Sequence, residues 1–375
     1  MEVNFPMKQN NSLSKNVFQS LTPPRRQCLF QWFVLCFLAG LLFLGFTCRI
    51  LWKDKQNQDL IWEETLRDDL QLQREIEPLS SNATVVTAGT YIENISSISI
   101  KENSFRLTFY LWFSWDNAPE LDMIHNFRIY KGNIHSIDIL ENKTQNGTTY
   151  QLARIDASIS KDFWTLRFPL ESYQLHVYIE PAWSADKVRI QADTHNSLVL
   201  PSITINGFKL SRSDVSVTTI KYNNLLNNPA ATVPYTQELR TAIEINRENP
   251  GLYLKCFIAL LGTLIWIFIT LFICVYHQID PLLLIPPALF GAVTNIMVGA
   301  NMLPDSMEAG LLEFVNIGGI LIILACTITI VKINRIRILE KDEFFAFVFG
   351  RTMFFTLLLL SLAGCIVYPL CAYHF

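Results

Sequence analysis

Five aromatic residues in the middle of the chain could bind a cation, because the face of a Tyr or Trp ring attracts positive charge. Residues at alternate positions of a strand share one face, which places Tyr110 with Trp112. The other candidates lie beside expected strand ends or loops: Trp183 after Glu180-Pro181, and Tyr222 and Tyr235 on either side of an Asn-rich segment. These aromatics predict a cage for a cationic ligand, and the alternative is ordinary packing in a hydrophobic core.

A second pattern lies between Asp280 and Pro304, an apolar stretch without Lys, Arg, Glu or His between its ends. It exceeds the about 20 residues that a helix needs to cross a membrane. One stripe of this helix, at alternating spacings of three and four, consists of Asp280, Leu283, Pro287, Phe290, Thr294, Met297 and Asn301. Several such helices around an axis would form a pore with a hydrophobic constriction at Phe290. The alternative to a pore is a helix buried inside a bundle. For Asp280, the alternative is an interfacial or capping residue at the helix end.

Signals for enzymatic chemistry are absent from the sequence. The six His form no HExxH motif and no pair at metal-ligand spacing, and there is no GxSxG or Gly-rich phosphate loop. All eight Cys lie in or beside apolar runs, which favours small buried hydrophobic side chains over a disulfide framework. We therefore expect no catalysis, no bound metal and no cofactor.

Composition indicates an integral membrane protein, since 50% of the 375 residues are hydrophobic. The net charge of −3 argues against a nucleic-acid binder. The order of apolar and polar segments predicts a cytoplasmic tail over 1–27, a transmembrane anchor helix over 28–52 and a charged helical linker over 53–83. A cleaved signal peptide is the alternative for the first apolar run, but that run is long and no A-x-A site follows it.

The rest of the chain divides into a β-rich part, 84–250, and a helical part, 251–375. Roughly ten short alternating runs with intervening turns predict an all-β sandwich in the first part. Apolar runs near 252–276, 282–303, 311–331 and 352–373 predict four transmembrane helices. The basic loop 332–341 places its side of the membrane in the cytoplasm, so the β domain is extracellular or periplasmic and the N-terminus is cytoplasmic.

In this order of elements, residues 85–373 resemble the pentameric ligand-gated ion channels, the superfamily of the Cys-loop receptors. Short motifs carry the resemblance: Phe168-Pro169-Leu170-Glu171 is similar to the family's FPFD, Ala182-Trp183-Ser184-Ala185-Asp186 to its binding-site tryptophan segment, and Leu303-Pro304 to the end of its pore helix. The positions of the family's two signature cysteines are Lys161 and Leu175, so the chain resembles the prokaryotic members. Leu283 and Pro287 replace small polar residues of the family's pore, and the anchor helix is an addition.

The resemblance implies a homo-pentamer in a lipid bilayer that conducts monovalent ions. It places the small-molecule ligand at subunit interfaces, beside Tyr110, Trp183, Tyr222 and Tyr235. It also implies that Phe168, Pro169 and Glu171 transmit motion of the sandwich to Pro304 and the loop after it. The alternative function is a non-conducting membrane receptor or scaffold that retains the channel-family fold.

Overall fold

The computed structural model describes residues 21–200, 203, 205, 207–222, 233–304 and 309–374. Within these ranges the chain forms six α-helices and ten strands. Residues 1–20 of the predicted tail lie outside the described residues, as do residues 305–308 of the expected coupling loop. Residues 23–27 of the predicted tail belong to the first helix, so this helix begins earlier than predicted.

The first helix, α1 (Pro23–Leu66), is one continuous element of 44 residues. At 1.5 Å per residue it is about 66 Å long, more than twice the about 30 Å of a bilayer's hydrocarbon core. The predicted anchor helix and residues 53–66 of the predicted linker are therefore a single helix. A short helix, α2 (Leu70–Ile76), follows a break, and the Asp69 carboxylate caps it by accepting the Gln71 N–H at 2.8 Å.

The β-rich region is confirmed, and it consists of two sheets. The strands are β1 (Thr84–Ser99), β2 (Ser104–Asp116), β3 (Phe127–Ile129), β4 (Gly132–Gln145), β5 (Thr148–Ser160), β6 (Ser172–Pro181), β7 (Val188–Ala192), β8 (Leu198–Val199), β9 (Phe208–Lys221) and β10 (Tyr235–Arg247). The first sheet has the order β4-β5-β2-β1-β7, with β8 beside β1, and the second has the order β3-β6-β10-β9.

Alternation of side chains explains how the two sheets share one core. In β2, every second side chain from Phe105 to Trp115 is buried, and those between them are half-buried or exposed. Strand side chains point alternately to opposite faces, so one apolar face of β2 is buried against the core. Leu175 and Val177 of β6 in the second sheet belong to the same hydrophobic cluster.

The remaining helices are α3 (Gly251–Tyr276), α4 (Ile285–Ala300), α5 (Leu311–Ile338) and α6 (Glu343–His374). A 3-10 turn, Leu282–Leu284, precedes α4. Five segments of the described chain are long and apolar enough to cross a membrane, which is compatible with a multi-pass membrane protein: α1, α3, α4 with its 3-10 turn, α5 and α6. Residues of all these helices share an apolar core that includes Leu29, Phe257, Ala288, Ile330 and Phe349.

Candidate functional site

Trp183 lies in the turn after β6, half-buried against the core that the two sheets share. Its carbonyl oxygen accepts a hydrogen bond from the Thr236 hydroxyl at 3.3 Å. Close by, the Tyr235 carbonyl accepts one from the Ala185 N–H at 2.9 Å. These two bonds join the turn to the start of β10, so the structure brings the backbones of Trp183 and Tyr235 together.

Tyr222, at the end of β9, belongs to a polar cluster on the outer face of the second sheet. Its hydroxyl donates to Glu180 Oε2 at 2.8 Å and accepts from Arg128 Nη2 at 3.0 Å. The Arg128 guanidinium donates to Glu180 through Nε at 2.7 Å and lies 5.6 Å from the centre of the Tyr222 ring. Burial and the hydrogen bond to Glu180 raise the pKa of Tyr222, so its hydroxyl stays protonated as a donor.

Tyr235 also contacts a cation from its own chain. The Lys221 ammonium lies 5.1 Å from the centre of the Tyr235 ring and 3.2 Å from Glu75 Oε2 on α2. The Tyr235 hydroxyl donates to the same carboxylate oxygen at 2.6 Å, and this bond together with Lys221 lowers the pKa of Glu75. A soluble cation at either tyrosine would therefore compete with Arg128 or Lys221.

Tyr110 lies apart from this group. It is a half-buried residue of β2 in the first sheet, 6.1 Å from the ring of Tyr91 and on the face that points away from the shared core. Trp183, Tyr222 and Tyr235 lie at one end of the second sheet, and among the described residues no hydrogen bond or ring contact joins Tyr110 to any of them.

The polar cluster around Tyr222 adjoins a second buried carboxylate, Glu238, which interacts with Glu180. No sequence motif indicated this pair of carboxylates. Glu238 on β10 is almost fully buried, and Arg240 Nε donates to its Oε1 at 2.7 Å. Burial, together with the carboxylate of Glu180, raises the pKa of Glu238 to about 7 despite the opposing effect of Arg240. This region of the second sheet therefore contains a group that titrates near neutral pH.

The seven residues of the predicted stripe are all exposed in the chain, with Leu283 at 92% and Phe290 at 77%. The buried residues of α4 lie on its other side: Ile285, Ala288, Ala292, Asn295 and Gly299. Ala288 and Ala292 are each two residues from Phe290, which is about 200° around a helix. The stripe thus faces away from the chain's own helices, and the alternative of a stripe buried within one chain's helices does not hold.

The structure shows what Asp280 and the proline pair do at the start of α4. The Asp280 carboxylate accepts from the Leu282 N–H at 3.2 Å and from Asn334 Nδ2 on α5 at 2.8 Å, so it joins the start of the 3-10 turn to α5. Pro286 and Pro287 occupy the first positions of α4, where a helix lacks partners for its N–H groups. The proline pair therefore begins the helix.

The predicted coupling residues lie where strands meet helices. Phe168, joined to Pro169 by a cis peptide bond, is buried among the apolar helices. Glu171 is buried and accepts a hydrogen bond from Arg247, the last residue of β10, at 2.6 Å. The turn preceding Phe168 contacts α5, because Leu166 accepts the N–H of Leu311 at 2.7 Å. Pro304 is half-buried, and no contact between it and Phe168 is established in the described residues.

One buried network was missed by sequence reasoning. Arg167, next to the predicted coupling residues, donates from Nε to Asp54 Oδ2 of α1 at 3.1 Å, and its Nη2 contacts Gln58 and the Ser172 hydroxyl. The side chains of Arg167 and Asp54 are only 4% and 2% exposed. The backbone carbonyl of Gln58 accepts from Gln174 of β6 at 2.8 Å. This network binds the part of α1 beyond its apolar run to the second sheet.

Among the described residues, no group of three or more His, Cys, Asp or Glu side chains is placed to hold a metal ion. The site is therefore built from aromatic rings, paired charges and an exposed helix face. Comparison with protein-family models and with curated protein sequences gives no match to this chain.

Proposed function

We propose that this protein is a multi-pass membrane protein of the ligand-gated channel type. In this proposal the two sheets form an exported β-sandwich, α3–α6 form a four-helix transmembrane domain, and α1 is an additional span. Copies of the chain, as a homo-pentamer, surround an axis lined by α4. The N-terminus is cytoplasmic, in accord with the basic residues 332–341 at the end of α5.

The observation that carries the proposal is the exposed stripe of α4. A lone apolar helix face in a membrane needs no partner, but this one also presents Thr294 on the same line as Phe290, and Asn301 continues that line directly after the helix. Polar side chains in a transmembrane helix generally face a cavity or another protein surface. An axis shared by several copies supplies such a surface, with Phe290 as the constriction.

Contacts between strands and helices support a route from ligand to pore. Glu171 and Arg247 form a buried ion pair at 2.6 Å directly before α3, and Phe168 inserts among the helices. A rotation of the second sheet would move both contacts, because β6 and β10 are hydrogen-bonded neighbours. Coupling of this kind depends on packed elements with two arrangements.

The ligand in this proposal binds between subunits, where the second sheet of one chain meets the first sheet of the next. That arrangement would bring Tyr110 of a neighbouring chain to Trp183. Arg128 and Lys221 already contact Tyr222 and Tyr235, so Trp183 and the neighbour's Tyr110 are the rings proposed to contact a cationic ligand.

A non-conducting receptor or scaffold is the second candidate, favoured by the bulk of the stripe's inner end. Leu283 and Pro287, both exposed, occupy a position where a conducting pore needs groups that hold water. In a non-conducting assembly, the exposed faces of α4 from neighbouring chains can stay in contact, because no pore has to open between them.

The substitution Phe290→Ser distinguishes the two candidates. It replaces a ring at the constriction by a hydroxyl, which favours a wetted pore, so we expect a leak current in planar bilayers. Phe355→Ser is the matched control, because Phe355 is also exposed, at 51%, but lies on α6 away from α4. We expect no current from this control.

An intact Phe290→Ser oligomer that passes no current at any voltage or pH would contradict the channel and favour the scaffold. A leak of equal size in Phe355→Ser would also contradict it, because the current would then reflect general membrane damage.

A further inference from the structure

An elongated cavity of about 470 Å³ lies between α1 and helices α3, α5 and α6. It exists because α1 packs mainly against α6 and more lightly against α5, which leaves a gap facing α3. Small residues widen this gap, among them Gly40, Gly318 and Gly364 from three of the helices. The added anchor helix supplies one wall, so the cavity is a property of this chain.

The dimensions of the cavity match one hydrocarbon chain. Its lining runs along Trp32–Leu44, Tyr253–Leu264, Val315–Ile328 and Leu357–Tyr368. The first and last residues of each stretch are 11 to 13 positions apart, and at 1.5 Å per residue this gives the cavity a length of about 16–20 Å. Carbon atoms contact at about 3.5–4 Å, and a cavity of about 470 Å³ over this length accommodates an extended hydrocarbon chain.

The chemistry of the walls also favours hydrocarbon. No Asp, Glu, Lys, Arg or His lines the cavity in the described part of the chain. A water molecule needs two to four polar partners to occupy a buried site. The lining is mostly Leu, Ile, Val, Phe, Ala and Gly, and its few polar groups, among them Ser361, Tyr253 and Tyr368, are isolated in it. At membrane depth the adjacent solvent is lipid, whose acyl chains have the same polarity as these walls.

A cation lies at the end of the cavity that is farther from the sheets. Trp32 lines this end, and the Lys332 ammonium lies 4.1 Å from the centre of its ring. Lys332 is one turn beyond Ile328 on α5 and is half-buried. Its Nζ also lies 3.5 Å from Cys28 Sγ and 5.3 Å from the centre of the Phe349 ring. Within the described residues, no carboxylate forms an ion pair with it.

We infer that this cavity binds one acyl chain of a glycerophospholipid from the cytoplasmic leaflet, with the lipid phosphate beside Lys332. The acyl chain fills the passage between Trp32 and Tyr368, and the ammonium contacts the headgroup at the membrane surface. A lysine near the surface attracts an anionic lipid by an amount that corresponds to about fivefold in affinity. The inference depends on the proposed membrane insertion and is independent of conduction.

Native mass spectrometry of the detergent-purified full chain, titrated with dipalmitoylphosphatidylglycerol, tests the acyl-chain site. A Cβ at Gly318 would lie 3.3 Å from the Phe43 ring and from the Tyr368 hydroxyl, so Gly318→Leu fills the cavity. We expect wild type to bind one lipid saturably and Gly318→Leu to lose it. Gly262→Leu is the matched control, because a Cβ there meets nothing within 4 Å, and it should bind as wild type does.

The phosphate contact is tested with two lipids and two lysines. We expect Lys332→Gln to bind dipalmitoylphosphatidylglycerol about fivefold more weakly and to bind dipalmitoylglycerol, which lacks the phosphate, as wild type does. Lys255→Gln, at the opposite end of the helices, should change neither. Equal weakening toward both lipids would overturn the phosphate contact, as would displacement of the lipid by inorganic phosphate alone.

If Gly318→Leu does not fold, Ala325→Leu replaces it, since Ala325 also lines the cavity. Unchanged binding in the filled variant, or equal loss in Gly262→Leu, would overturn the acyl-chain site. A protein that passes no current but binds the lipid in this pattern would refute the channel while leaving the lipid site intact.

Discussion

The ion pair between Arg167 and Asp54 predicts a large and specific loss of stability when one partner is removed. Asp54→Ala leaves the Arg167 guanidinium, only 4% exposed, without its carboxylate. Breaking a buried pair in this way typically costs about 3–5 kcal/mol, because the remaining charge is neither solvated nor paired. We expect a loss of this size in the free energy of unfolding, with α1 detached from the second sheet.

Asp59→Ala in the same helix is a matched control. Asp59 pairs with Arg212 at 3.2 Å, but the two side chains are 56% and 41% exposed. Exposed pairs contribute about 0–1 kcal/mol, and Arg212 keeps Glu244 at 2.8 Å as a second partner. Both substitutions exchange Asp for Ala inside α1, so the gain in helix propensity is the same and cancels in the comparison.

The measurements are denaturant unfolding of the detergent-purified chain and hydrogen exchange of the peptide covering 52–66. Asp54→Ala should lower the unfolding midpoint and speed exchange in this peptide, whereas Asp59→Ala should change neither by much. A double variant, Asp54→Ala with Arg167→Ala, should lose less than the sum of the single variants, since no unpaired charge remains. Costs for Asp54→Ala and Asp59→Ala within about 1 kcal/mol of each other would refute the reasoning.

Two further predictions concern the second sheet. Because the pKa of Glu238 is raised from 4.5 to about 7, the folded chain binds its proton more tightly, and this contribution to stability is complete below pH 4.5 and is lost as the pH rises through 7. Urea unfolding should therefore show about 3 kcal/mol more pH dependence over this window in wild type than in Glu238→Gln, and identical profiles would contradict the shift. His176, whose pKa burial lowers to about 3, contributes the opposite slope in both proteins and cancels. For Trp183→Ala we expect loss of the response to soluble amines with the oligomer intact; loss of the oligomer would assign Trp183 to the structural core.

The sequence by itself determined the elements and their faces. Apolar runs of membrane-spanning length identified the five long helices, and alternation in segments such as Phe105–Phe113 identified strands. Both signals are local, because the side-chain period of a helix or strand is visible within one window of residues. The same periodicity grouped Phe290 with Thr294 and Met297 on one face of α4, and the structure leaves that face exposed.

Only the tertiary structure decided which of these elements meet. No window of sequence relates Asp54 to Arg167, which lie 113 residues apart, or Lys332 to Trp32. Residues 53–66 of the linker predicted from the charged residues after 52 became the last part of α1, because a network buried against the second sheet holds them there. A charged side chain read locally indicates solvent, and its burial beside an opposite charge depends on contacts that form only when distant segments pack together.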